Sequence, residues 1–242
     1  MRLYIYADAG NRPPFHLPWD YHLSFKAFIY DGLSKHEPAL ADQIHESNRA
    51  PPFSFSEFVQ TASISASDSG LACESGFWIV NAEDTRLIDA IANHARGREM
   101  TLGHTTIPVD GVEVEQIVPE TRARYRTLSP VFASRHRDDS RVPLHPDDPM
   151  WGSRLRRSVH GRMKGRGYDI NEFQFDIEAV HAWEEDGMRV SSEYVRSCTH
   201  AEFTLRTDQL TSRFVQRHGI SEGSGLGLST VIPIKHLPEA AR

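Results

Sequence analysis

The chain has 242 residues, 39% hydrophobic and 25% charged, with a net charge of −6 at neutral pH. That length leaves room for one large domain or two of roughly 120 residues, and the composition excludes disordered, collagen-like and coiled-coil chains. No apolar run approaches the roughly 18 residues that a membrane helix requires.

Residues 2–8 alternate as a strand does, and the start of the chain lacks the apolar block and cleavage site of a signal peptide. Pro13, Pro14 and Pro18 mark a loop that ends at Asp20, a helix-capping residue type. From Tyr21 the apolar residues Phe25, Phe28, Ile29 and Leu33 follow one helical face, and Gly32 and Ser34 are read as its end. Pro38 suits the first turn of a second helix through Leu40 and Ile44, stopped by Pro51-Pro52. Phe53-Ser54-Phe55-Ser56 and residues 76–80 predict two antiparallel strands around the turn-rich residues 67–70. A helix over 84–95 closes at Gly97, and residues 101–118 read as strand broken by Pro108 and Asp110-Gly111.

The second half repeats this order. Residues 122–133 read as strand and 150–163 as a basic helix. Residues 173–177, 188–195 and 203–205 read as further strands. Asp208 caps a helix through Leu210, Phe214 and Val215, a Gly-rich loop follows, and 226–234 closes as a strand. The expected fold class is α+β, with two tandem ferredoxin-like (βαββαβ, RRM-like) domains, 1–119 and 120–242, flanking a central cleft.

Two cysteines, Cys73 and Cys198, supply neither a disulfide framework nor a four-ligand zinc site. The expectation is a cytoplasmic protein with free thiols and no metal. Charge is unevenly spread. Residues 121–166 hold twelve Arg or Lys and four acids, a local +8 that leaves −14 for the remainder. Such asymmetry predicts a phosphate-binding surface inside an acidic protein. On the basic helix Arg154, Arg157, Gly161 and Lys164 share one face, with Arg156 beside them and Trp151 before them. Cations at that spacing track phosphates, and an aromatic or guanidinium plane stacks on an unpaired base.

Three ordered landmarks carry a resemblance. The first is the stretch from Leu17-Pro18-Trp19 to Phe58, with Ile29-Tyr30, Ile44-His45-Glu46 and Pro52-Phe53-Ser54-Phe55-Ser56. The second is Thr127-Leu128-Ser129-Pro130-Val131, and the third is the Gly-rich run 219–227. Together they resemble the CRISPR-associated endoribonucleases that cut precursor guide RNA within its repeats, the sixth numbered Cas family. The resemblance implies metal-independent cleavage of repeat RNA by 2′-OH attack, leaving 5′-hydroxyl and 2′,3′-cyclic phosphate ends, with no cofactor. It makes His45 the proton-transfer group and Tyr30 an orienting or assisting group. The Gly-rich loop, with Gly223, Gly225 and Gly227, then lies against the RNA backbone, where glycine lets amides approach phosphates. Repeat RNA is the implied partner of a monomer or homodimer, other subunits of a CRISPR effector complex are further candidates, and a membrane is not one.

One departure stands out. Many family members carry a lysine soon after the His-Glu, and here the matching place is Pro51. Either Arg49 or Lys35 supplies the charge or the stabilisation is weaker, and slow, near single-turnover cleavage is expected. Two other readings compete. A passive RNA-binding subunit would share the fold and not need His45. His22-Leu23-Ser24-Phe25 and His104-Thr105-Thr106-Ile107 also resemble the paired motifs of two-histidine phosphodiesterases, although His22 falls on a predicted helix.

Overall fold

The alternating start of the chain becomes β1 (Arg2–Asp8), with Leu3 and Ile5 fully buried. The computed structural model describes residues 1–47, 51–62, 64–138, 140–189, 195–222 and 230–241. They fall into two units, one built on residues 1–116 and the other beginning at Ile117.

In the first unit β2 (Phe15–Pro18) precedes α1 (Tyr21–His36) and α2 (Pro38–Glu46). Then come β3 (Phe53–Phe55), β4 (Val59–Gln60), β5 (Ile64–Ser67), β6 (Gly70–Cys73) and β7 (Ser75–Ala82). The helix α3 (Thr85–Ala95) and the hairpin of β8 (Glu99–Leu102) and β9 (Thr105–Glu115) complete it. The main sheet runs β3-β7-β1-β9-β8, with β4 also on β7. Within it β3, β7, β1 and β9 give the ferredoxin-like order, all neighbours antiparallel. The expected pairing of 53–55 with the strand after residue 75 is present, Phe53 lying opposite Ala82. The turn at 67–70 belongs instead to a small hairpin, β5 with β6, which pairs with β2 inside the proline-rich stretch read as loop.

Two local expectations fail for identifiable reasons. Gly32 does not end α1; a Cβ there would lie 3.0 Å from Cβ of His94, so the glycine lets α1 and α3 approach. Pro108 and Asp110-Gly111 do not break β9. Tyr6 pairs with Gly111 and Ala7 with Val109, so Asp110 is absorbed as a bulge, while the real turn lies at Gly103, φ +64°.

The second unit holds β10 (Arg122–Thr127), the hairpin β11 (Ser134–Arg137) and β12 (Ser140–Pro143), and α4 (Trp151–Gly165). After these come β13 (Phe175–Arg189), β14 (Val195–Thr207), α5 (Gln209–His218) and β15 (Val231–Pro233). Its sheet order, β13-β14-β10-β15, repeats the plan of the first unit. Of the expected strand 188–195, Met188 and Arg189 end β13 and Val195 begins β14, Arg189 lying opposite Val195, while 190–194 lies outside the described residues. Likewise 122–133 is a strand only to Thr127, followed by a single bridge from Val131 to Thr199. Asp208 does cap α5, its Oδ1 accepting from the Thr211 amide at 2.8 Å. Of the expected last strand, 226–229 lies outside the described residues.

Two imidazoles are buried where a proton is unwelcome. Burial lowers the pKa of His94 despite Asp31 Oδ2 at 3.1 Å. Burial, reinforced by Arg166, Arg162 and Arg217, holds His218 well below the ordinary histidine range. Below about pH 6.5 the unfolded chain therefore binds more protons than the folded one. Stability is fully present above that pH and declines as pH falls towards the lowered folded values. Thermal unfolding followed from about pH 8 to about pH 5 should show a midpoint that drops below about pH 6.5. A His94→Gln variant should drop less steeply, and a flat wild-type profile would contradict the assignment.

Candidate active site

Tyr30 and His45 come from different helices and meet. Tyr30 sits on α1 just after the buried pair Phe28-Ile29, and His45 follows buried Ile44 on α2. Leu33 of α1 and Leu40, Ala41 and Ile44 of α2 are all buried, so the apolar stripes fix how the two helices lie. The ring centroids of Tyr30 and His45 are 4.9 Å apart, with 31° between planes. Phe53 closes the third side, its ring 5.8 Å from that of Tyr30 and at 67° to it.

The strand beneath explains why Phe-Ser-Phe-Ser is needed. Phe55 turns to Phe25 of α1 at 5.5 Å, as Phe53 turns to Tyr30. The serines are buried and bond into the sheet: Ser56 Oγ accepts from the Ile79 amide at 2.8 Å, and Asn81 Nδ2 donates to Ser54 Oγ at 3.4 Å. His45 is exposed and Tyr30 half-buried. Burial raises the Tyr30 pKa, so its phenol stays protonated near neutrality and acts as a donor.

One lysine that the sequence reading did not name shares a helix face with Tyr30. Lys26 stands four residues before Tyr30 on the same face of α1 and is half-buried, with its pKa lowered by desolvation. Helical i, i+4 spacing from Tyr30 was the available signal. Lys35, by contrast, bonds Asp31 at 2.7 Å and lines a groove with His94 and Arg98 on the α3 side. Arg49 lies outside the described residues. For the two-histidine motif, His22 is buried on α1 and His104 is exposed in the β8–β9 turn; neither stands on a strand.

In the second unit five of the twelve cations in the basic stretch pair, among the described residues, with acids from outside it. Arg122 pairs with Glu178 at 2.7 Å, and Arg124 and Arg126 both with Glu202 at 2.6 Å. Arg156 pairs with Asp176 at 3.0 Å. Counting charge along the chain missed these partners, which lie far off in sequence. Arg154 is not available to track phosphates: it pairs with Glu222 at 3.1 Å, and Glu222 accepts from the amide and hydroxyl of Ser134 at 3.0 and 2.8 Å. Trp151 is not a stacking platform either, being 1% exposed. Arg157 and Lys164 are exposed, with no ion pair among the described residues. Gly223, Gly225 and Gly227 lie outside the described residues. What precedes them is firmly held, since Arg162 donates to the carbonyls of His218 and Gly219 at 2.8 and 2.7 Å.

No family model matches the chain, and no curated protein matches its sequence. Among solved structures it is similar to the product of a Cas6-related gene from Pyrococcus furiosus, with TM-score 0.78 and 19% identity over 98% of this chain and 99% of that one. It is also similar to a CRISPR-associated protein Cas6, with TM-score 0.77 and 16% identity over 96% and 98% of the two chains. A third likeness is to an RAMP protein described as binding different RNA substrates, with TM-score 0.74 and 19% identity over 96% and 98%. The fold is that of the Cas6 and RAMP proteins. Both ferredoxin-like units of this Cas6-like fold are therefore accounted for, the alignments running over nearly the whole chain. Identities this low carry the fold and not the roles of single residues.

Proposed function

We propose that the chain is an endoribonuclease that binds CRISPR repeat RNA and cuts it by metal-independent transesterification. The observation that carries the reading is the Tyr30–His45 ring pair, 4.9 Å apart on a Cas6-like fold. The reaction needs a proton acceptor for the ribose 2′-OH, a proton for the leaving 5′ oxygen and positive charge near the phosphoryl oxygens. His45 takes the 2′-OH proton as the O2′–P bond forms. The P–O5′ bond breaks, the 5′ oxygen takes up a proton, and none is consumed overall. Tyr30 donates a hydrogen bond that orients the phosphate, and Lys26, one helical turn away, supplies charge. Slow, near single-turnover cutting is expected of a site in which Pro51 stands where a lysine is otherwise found.

Labelled repeat RNA incubated with the chain in EDTA tests the proposal. One cut within the repeat is the expected result. Tight binding without product would make the chain a passive RNA-binding subunit, and action confined to small cyclic or 2′,5′-linked phosphates would favour a two-histidine phosphodiesterase.

A further inference from the structure

A second groove lies in the second unit, between α4 and the turn that leads into β13. It encloses about 450 Å³ and is lined by Ser153, Arg156, Arg157, His160, Ile170 and Phe173. That volume lies within the range of small-molecule sites, large enough for one nucleotide. Its floor is the half-buried ring of Phe173, with the Arg156 guanidinium over it at 5.8 Å and the His160 ring edge-on at 4.9 Å. Asp176 holds Arg156 in place at 3.0 Å, so that its planar group is pre-set against the aromatic ring. Arg157 beside it is exposed and has no ion pair among the described residues. Among the described residues no acid lines this groove; Asp169 and Glu172 of the same turn line the neighbouring one.

An aromatic ring, a fixed guanidinium plane and an exposed arginine within one groove match the chemistry of an unpaired nucleotide. The base finds π surfaces that accept any sequence, and the phosphate finds the exposed Arg157 guanidinium. A duplex offers its phosphates to Arg157 but keeps its bases stacked. We infer that the Arg156–Arg157–His160–Phe173 groove is a single-stranded RNA site, separate from the Tyr30–His45 pair, that holds one unpaired nucleotide of a bound RNA. This rests on the reading of the chain as an RNA-binding nuclease and adds a contact that reading does not contain.

The probes are a short oligouridylate and a blunt RNA duplex of equal length, titrated against the full chain at several salt concentrations. Phe173→Leu keeps the apolar packing and removes the ring, and should weaken oligouridylate binding about tenfold while changing duplex binding little. Arg157→Ala, at an exposed position without an ion pair among the described residues, should weaken binding and lower the salt slope by roughly one contact. Thermal unfolding of both variants separates lost contact from lost fold. Two variants that bind oligouridylate as the wild type does, from a wild type that still cuts repeat RNA, would overturn the groove and leave the nuclease reading intact. A wild type that holds oligouridylate through the groove yet never cuts repeat RNA would do the reverse.

Discussion

His45→Ala should slow single-turnover cleavage of repeat RNA by roughly 100-fold or more and leave RNA affinity within about threefold of the wild type. The ring is exposed and contributes little to the fold, so its removal leaves α2 held by Leu40, Ala41 and Ile44. What is lost is proton transfer, a contribution that a positioned imidazole makes at 10²–10⁴ in order of magnitude. Raising the pH should not rescue the variant. A variant that cuts as fast as the wild type would remove His45 from the reaction, and one that loses binding and cleavage together would make it an RNA-holding residue.

Trp151→Ala should cost about 3–5 kcal/mol, a large share of the roughly 5–15 kcal/mol that keeps an ordinary domain folded. The indole opens α4, is 1% exposed, and meets the Phe203 ring edge-on at 6.0 Å in a core with Tyr125, Leu155 and Phe175. Removing it opens a cavity that a close-packed β-sheet face cannot refill. Urea unfolding followed by tryptophan fluorescence and circular dichroism measures the loss. A cost below about 1 kcal/mol would mean that the core tolerates the gap and that α4 is anchored elsewhere.

Periodicity made the scaffold legible where burial is one-sided. The apolar spacing of α1 and α3, the proline at the start of α2 and the Asp208 cap each predicted an element that is present. What failed depended on contacts distant in sequence. Gly32 reads as a helix stop until His94 is known to press against it. Asp110-Gly111 reads as a turn until β1 supplies a partner strand that absorbs the bulge. Arg154 reads as a phosphate contact until Glu222, 68 positions later, is found beside it. Trp151 reads as a platform because a single aromatic before a basic helix carries no mark of which side it faces. The candidate site fared differently. His45 and Tyr30 were named by resemblance to a known family, and their proximity follows from two short amphipathic helices whose stripes were visible. Lys26 carries no mark in the sequence beyond its i, i+4 spacing from Tyr30.

The chemistry of the new ends tests transesterification most directly. The upstream fragment made in EDTA can be weighed by mass spectrometry, since a cyclic phosphate is lighter than a linear one by one water. The expected product ends in a 2′,3′-cyclic phosphate, with a 5′-hydroxyl on its partner fragment. An upstream 3′-hydroxyl facing a 5′-phosphate would show that water and not the ribose attacked, and would contradict the role given to His45.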